Sequence, residues 1–507
     1  MTILDRYKGY RSHIVCFLIM LISFLLMLRY AGSVSLWYDD LYTIAFVGKG
    51  LTFSQIAENI ASDTHSNTPL FYLFAAFWLR IAPFGTLFLK LPSIFFSAAG
   101  IYLCGVVARK LKGNRAAVFA TLFAGTSSFL IINGAYTFRS YGLMFLLVIL
   151  LFYFYILRTE QNGRLNKYVF IFGGVATVLC FTHYFGLLVV AAMFVCDLVL
   201  LVLKKLNWKH FLSYILLVAL YLPYFIPVLT GTIERQGTFW AETPTVQSLI
   251  LVTKDLFSRY DSVYLFFCLG LVVSIIMVFS PYLRSFLNMD KRKVYMCIVQ
   301  IYMVVCIVGL VFAYSRFVNP EGSFFVHRYF ISVVPFALVV AAIGIESALD
   351  VFLIGKPKQL SFIIVCAVIC VVGLRLGGNV LENVNEHASS YNEPFEQAIE
   401  WIYEQEDAHK PDTLVMTTAP ELGVMYYVTQ NGQRPPLNLA SDENPDTRLT
   451  EKNYSQWNKI YRFDGHKPVL DKTQKLLDEK FELVYSHWKW GTTVFVYERI
   501  QTDATRQ

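Results

Sequence analysis

Charge is what this chain has least of. Asp, Glu, Lys and Arg make up only 16% of its 507 residues, against 56% hydrophobic residues, and a soluble domain would carry roughly 25% charged residues. With a mean hydropathy of +0.50, the composition excludes an ordinary soluble globule and implies an α-helical polytopic membrane protein. The nine cysteines all fall inside apolar segments and none lies beyond Cys370, which excludes a disulfide framework and a thiolate metal site in the polar C-terminal region. No GxxxxGK[ST] phosphate loop is present, so there is no ATPase signature. Internal repeats and low-complexity tracts are also missing. Nucleic acid is excluded as a partner because the net charge of +7 is scattered in short clusters between apolar segments. Ionisable groups inside the apolar segments are few: Lys90 and Asp197, with Glu346 and Asp350 near one end, and Gln300 as a polar case. A proton-coupled transporter would place more of them near the membrane midplane.

Long apolar runs are abundant. A spanning helix needs roughly 20 apolar residues because lipid offers the backbone no hydrogen-bond partner. The first run, Ile14 to Leu28, follows Arg6, Lys8 and Arg11, and its length favours an uncleaved first span over a signal peptide. Further runs lie near 86–108, 116–133, 141–157, 168–182, 184–203, 211–229, 261–281, 294–314, 329–352 and 360–376. Together they predict about eleven spans. Residues 69–83 are too short and carry Arg80, so they read as a juxtamembrane or re-entrant helix. Basic clusters at 109–115, 158–167, 204–209, 284–293 and 356–358 mark cytoplasmic loops, together with the N-terminus. The predicted domains are a membrane domain at 1–380 and an extracytoplasmic α/β domain at 381–507. In the latter, Pro394 to Gln405 has helical spacing, Asp412 to Ala419 reads as a strand, and Phe481 to Ile500 reads as two strands joined at Gly491. Residues 431–446 read as an exposed loop.

The chemistry-bearing residues collect in the opposite, extracytoplasmic loops. The segment "SLWYDDLYT" sets Asp39 beside Asp40 in loop 31–68. Adjacent carboxylates at a membrane surface suit a general base with an orienting or metal-binding neighbour, or simply cap a helix that begins at Leu41. Asp63 and His65 end the same loop; they could share a divalent cation with Asp39 or Asp40, or lie in a solvated turn. "NGAYTFRSYG" presents Arg139 beside Tyr141, "THYFG" presents His183, and "FFVHRYF" presents His327, Arg328 and Tyr329. Arginine binds phosphate through parallel hydrogen bonds, and aromatic residues line membrane interfaces, where simple anchoring is the alternative reading.

Four segments, in order, resemble the GT-C superfamily of membrane glycosyltransferases, in its protein-O-mannosyltransferase-like and aminoarabinose-transferase-like branch. "WYDDLYT" is similar to the family's W-x-D-E loop, with Asp40 for Glu. "DTHSNTPLFYLFAAFWLRI" is similar to a D-x-H-P-P-L-Y-Y segment with Thr68 for the first Pro, and is followed by "LKLPS", with Lys90 for Arg. "AYTFRSYGLMFLL" and "HRYFISVVP" resemble two later boundary motifs, so the resemblance covers about residues 10–340.

The resemblance implies transfer of a sugar from a polyprenyl-phosphate carrier to an acceptor at the extracytoplasmic face of a bacterial inner membrane. The acceptor would be a protein, lipid or polysaccharide. By position, Asp39 becomes the catalytic carboxylate, with Asp40 beside it. Arg139, Arg328, His327, His183, Tyr141 and Tyr329 become lipid-phosphate contacts, and Asp40, Asp63 and His65 a divalent-metal set. A lipid-linked sugar flippase would use the same groups without breaking the glycosidic bond.

Overall fold

The computed structural model describes residues 3–62, 68–160, 165–234, 241–257, 261–287, 289–390, 395–442, 444–465, 468–489 and 492–500. The membrane part runs through α1 (Ile3–Ala31), α2 (Tyr38–Val47), α3 (Phe53–Ser62), α4 (Pro69–Ile81), α5 (Thr86–Leu111), α6 (Asn114–Gly125) and α7 (Ser128–Leu130). It continues through α8 (Tyr141–Thr159), α9 (Lys167–Thr182), α10 (Tyr184–Val202), α11 (Leu212–Glu234), α12 (Val246–Phe257) and α13 (Asp261–Phe279). It closes with α14 (Pro281–Phe286), α15 (Lys291–Ala313), α16 (Val334–Phe352) and α17 (Lys358–Ser390).

Each apolar run singled out in the sequence falls largely on these helices, the run at 116–133 being divided between α6, α7 and the turn that follows. Among the described residues, seven are long and apolar enough to cross a membrane, or up to eight if the pair bent by 50° at Asn114–Gly125 and Ser128–Ala135 is one span. Residues Lys167–Thr182 and Tyr264–Phe279 form apolar helices below that length. Helix α4 has only 13 residues, about 20 Å at 1.5 Å per residue, which cannot cross a hydrocarbon core of about 30 Å. It lies beside α2 and α9, with Phe71, Tyr72, Ala75, Ala76 and Leu79 turned inward. The bundle is hydrophobic on both sides, since its lipid-facing surface is as apolar as its core: Val202, Phe279 and Leu374 are exposed, while α16 is almost wholly buried.

The C-terminal unit contains α18 (Phe395–Tyr403), α19 (Glu421–Val428) and α20 (Asp471–Lys480) around a five-stranded sheet. Its strands are β1 (Thr413–Thr417), β2 (Leu439–Ser441), β3 (Lys459–Phe463), β4 (Phe481–Lys489) and β5 (Thr492–Arg499), in the order β2-β1-β3-β5-β4. Strands β1, β2 and β3 pair in parallel, while β5 runs antiparallel to β3 and β4. Two expectations change. The loop at 431–446 contributes strand β2, because Ala440 and Ser441 are buried against β1 although their neighbours are polar. The expected boundary at 380 falls inside α17, which continues without a break to Ser390. The β4–β5 connection at Gly491 lies outside the described residues.

One hydrophobic core joins the C-terminal unit to α2, α3 and α4: Leu41, Ile44, Phe71 and Leu79 share it with Tyr427, Val428 and Phe463. The sheet therefore rests on the helices that follow the first span.

Candidate functional site

Helix α2 begins at Tyr38, so both aspartates lie in its first turn, where the amide groups at a helix N-terminus favour negative charge. The two then diverge. Asp40 is fully buried. Its Oδ1 accepts the Phe138 backbone N–H at 2.7 Å and its Oδ2 accepts that of Trp37 at 3.4 Å, the half of a capping box that reaches back to the N-cap. The helix starts three residues before Leu41 with Trp37 at its N-cap, so neither aspartate is the expected N-cap, and Asp40 instead reaches back from the third helical position. The Asp40 carboxyl is pushed up to about 7, with burial as the main cause and Asp39 adding to it, against the opposing pull of Lys90, the Phe138 N–H and Arg139. The Lys90 ammonium, also fully buried, donates to the carbonyls of Val34 at 2.5 Å and Ser35 at 3.3 Å. Asp40 and Lys90 thus fasten the chain between α1 and α2 from both sides.

Asp39 faces the other way. Its Oδ2 accepts from Nη2 of Arg328 at 2.9 Å, and the two side chains retain 22% and 18% of their exposure. Arg328 also donates through Nε to the Tyr141 hydroxyl at 3.1 Å, and its guanidinium carbon lies 4.8 Å from the centre of the Trp37 ring. Arg139 reaches the same turn: its Nη1 donates to the Tyr72 hydroxyl at 2.8 Å, the Thr43 hydroxyl at 2.9 Å and the Asp39 carbonyl at 3.3 Å. The backbone bringing Arg139 and Tyr141 here is wound into a π-helical turn at Ile131–Ala135. Gly142 lets α8 start against it, since a Cβ there would sit 2.7 Å from the Ser93 carbonyl and 2.8 Å from that of Gly134.

His183 accepts the Phe185 N–H through Nδ1 at 3.1 Å and packs its ring against Tyr141 and Tyr329, with centroids 5.7 and 5.1 Å away. Burial lowers the His183 pKa to about 3, helped by the nearby guanidinium groups of Arg139 and Arg328. The ring is neutral at physiological pH and fills space between the tyrosines. Burial likewise raises the Tyr329 hydroxyl above the usual phenol range.

Asp39, Arg139, Arg328, Tyr141, Tyr329 and His183 therefore converge, although they come from segments almost 300 residues apart. His327 does not join them. Its Nδ1 lies 3.0 Å from Asp255 Oδ2, so it lines the neighbouring cavity beside an acidic partner instead of adding a free cation to the cluster. Asp63 and His65 lie outside the described residues. As for a divalent ion, Asp40 is sealed in the interior with Oδ1 on a backbone N–H, and Asp39 already faces a guanidinium. Among the described residues no three His, Cys, Asp or Glu side chains gather to hold a metal. Asp40 therefore anchors the turn, and the other two members of the expected divalent-metal set, Asp63 and His65, lie outside the described residues.

Sequence reasoning missed Tyr72, Thr43 and Trp37. Their signal was only that they stand in the same motifs as the residues it found. Trp37 also helps to line a cavity of about 590 Å³, with Arg328, His327, Asn133, Glu242 and Ser248 among its other walls. The Trp37 indole Nε1–H is buried without a hydrogen-bond partner, a donor held ready beside the cavity.

No family model and no curated protein sequence matches this chain. Solved structures do. ArnT from Cupriavidus metallidurans bound to undecaprenyl phosphate superposes with a TM-score of 0.59 at 11% identity, over 94% of this chain and 97% of that one. The apo state of ArnT gives a TM-score of 0.53 at 13% identity over the same shares. The archaeal oligosaccharyltransferase AglB from Archaeoglobus fulgidus, in complex with an inhibitory peptide and a dolichol-phosphate, gives 0.54 at 10% identity, over 91% of this chain and 70% of that one. A multi-pass helical bundle with a small C-terminal sheet, aligned over 94% and 91% of its length with ArnT and AglB, identifies the fold of this chain as that of the GT-C membrane glycosyltransferases.

Proposed function

We propose that this protein transfers a sugar from a polyprenyl-phosphate carrier to an acceptor at the extracytoplasmic face of the membrane, with Asp39 as the catalytic carboxylate. The observation that carries this reading is the partly exposed Asp39–Arg328 pair, which borders a cavity of about 590 Å³ through Arg328 and Trp37. Relatives in fold bound to undecaprenyl phosphate and dolichol-phosphate support the carrier class.

The chemistry follows from the charges. In a displacement at the anomeric carbon, the acceptor forms the new C–O or C–N bond while the C–O bond to phosphate breaks and its electron pair leaves on the phosphate. Asp39 takes the acceptor proton and stabilises the cationic character of the sugar. Arg328 and Arg139 give the cluster two guanidinium charges for one accessible carboxylate, a surplus that suits a departing phosphate. Since Arg328 bonds Asp39 as well, arrival of the phosphate would draw the guanidinium away and free the carboxylate as base. Tyr141 orients Arg328, and Tyr72 and Thr43 orient Arg139.

The test is release of polyprenyl phosphate by the purified protein in lipid nanodiscs. The donors are undecaprenyl-phosphate-linked glucose, mannose, arabinose and aminoarabinose, offered with an envelope extract as acceptor. Release that depends on the extract supports the transferase. Movement of the intact donor across a vesicle bilayer without release would overturn it in favour of a flippase.

A further inference from the structure

The C-terminal unit touches the membrane part where the carboxylates sit. Helix α19 lies along α2, and two of its residues meet the backbone on either side of Asp39. Upstream, the Leu36 N–H donates to the Tyr427 hydroxyl at 2.9 Å in a fully buried contact. Downstream, Gly423 lies so close to the Leu41 carbonyl that a Cβ there would stand 2.3 Å from its oxygen. The Tyr427 hydroxyl is itself held 3.3 Å from that of Thr86, which donates to Glu396 of α18 at 3.1 Å. Tyr426 accepts the Gly85 N–H at 3.0 Å. The unit thus grips the first turn of α2 and the start of α5 together.

We infer that the C-terminal α/β unit sets the position of the Asp39 carboxylate, with Tyr427 and Gly423 as positioning residues. This rests on Asp39 being the catalytic group. Several features separate such a role from plain packing. The contacts engage backbone groups of the carboxylate-bearing turn, Leu36 N and Leu41 O, and not only its side chains. They flank Asp39 within three residues on each side. Asp40 and Lys90 fix the same turn from the membrane side, so the turn is held between two layers. A displacement reaction depends steeply on alignment, and a shift of about 1 Å costs roughly 100-fold in rate.

Full-length Tyr427→Phe and Gly423→Ala variants would be compared with wild type on the carrier-linked sugar that the wild type turns over. Measurements are kcat, donor KM, and the Kd for undecaprenyl phosphate alone. Tyr427→Phe keeps the ring and removes the hydroxyl that accepts from Leu36 N–H and meets Thr86, and kcat should fall roughly tenfold with KM and Kd within about twofold. Gly423→Ala should cost roughly 100-fold in kcat. Wild-type kcat in Tyr427→Phe would overturn the inference, as would parallel loss of kcat and undecaprenyl phosphate affinity, the mark of general loosening. Asp39→Asn measured alongside separates the two levels. If it is inactive while Tyr427→Phe and Gly423→Ala behave as wild type, only the positioning role fails; if it is fully active, the mechanistic reading fails first.

Discussion

The two ends of the helical bundle both carry carboxylate–guanidinium pairs, and they treat them in opposite ways. Helix α8 connects them, with Tyr141 at one end and Arg158 at the other. Arg158 and Asp197 pair at 2.5 Å with no side-chain exposure. The Tyr214 hydroxyl donates to Asp197 at 2.7 Å, and the Arg158 guanidinium lies 3.6 Å from the Phe172 ring centre. At the Asp39 end the pair is accessible and stands beside a cavity. A pair sealed by aromatic rings holds helices together, while a pair open on one side can exchange its partner for a ligand. Burial, not the presence of opposite charges, separates the two roles.

Mutations can break this contrast. The largest effect belongs to the sealed end: Asp197→Ala leaves the Arg158 charge uncompensated and should cost about 3–5 kcal/mol of stability, read as a lowered melting temperature. Its transfer rate per folded molecule should match wild type. At the open end, Arg328→Lys removes the fork that joins Asp39 to Tyr141 and should lower kcat about 100-fold with little change in melting temperature. Tyr72→Phe deletes one hydrogen bond to Arg139 and should cost about 1 kcal/mol in kcat/KM, a factor of about five. The effect that is smallest at neutral pH is titration, and it grows only on acidification. The depressed pKa of His183 means that the folded state disfavours its charged form. Its contribution to stability is present above about pH 6.5 and is lost as the pH falls toward 3. The melting temperature should therefore drop less steeply below pH 6.5 in His183→Gln than in wild type.

Much of the architecture was legible because length and periodicity are local properties. Apolar runs from Ile14 to 376 announced helices, and the 13-residue α4 betrayed itself by its length and by Arg80. The convergence of Asp39 with Arg139 and Arg328 was legible only as a shared membrane face, because each cation sits beside a tyrosine at a span boundary. The resemblance singled out Asp39 as the catalytic carboxylate, but the anchoring role of Asp40 was not legible. Asp40 owes its anchoring role to Phe138, 98 residues away, and to Lys90, a cation that reads in sequence only as an oddity inside a span. Tyr72 and Thr43 look like ordinary helix residues until Arg139 folds onto them. The short strand β2 hides in a polar loop because parallel pairing to β1 supplies the burial that its own sequence does not advertise. The C-terminal unit was readable as α/β, but its shared core with α2 was not, since that core exists only between segments about 380 residues apart.

The most direct measurement is the rate of polyprenyl phosphate release from a carrier-linked sugar by Asp39→Asn, against wild type, at equal amounts of folded protein in nanodiscs. The near-isosteric amide cannot take up the acceptor proton and gives up the charge facing Arg328, so release should fall about 1,000-fold or more while undecaprenyl phosphate still binds. Release at the wild-type rate by folded Asp39→Asn protein would contradict the account.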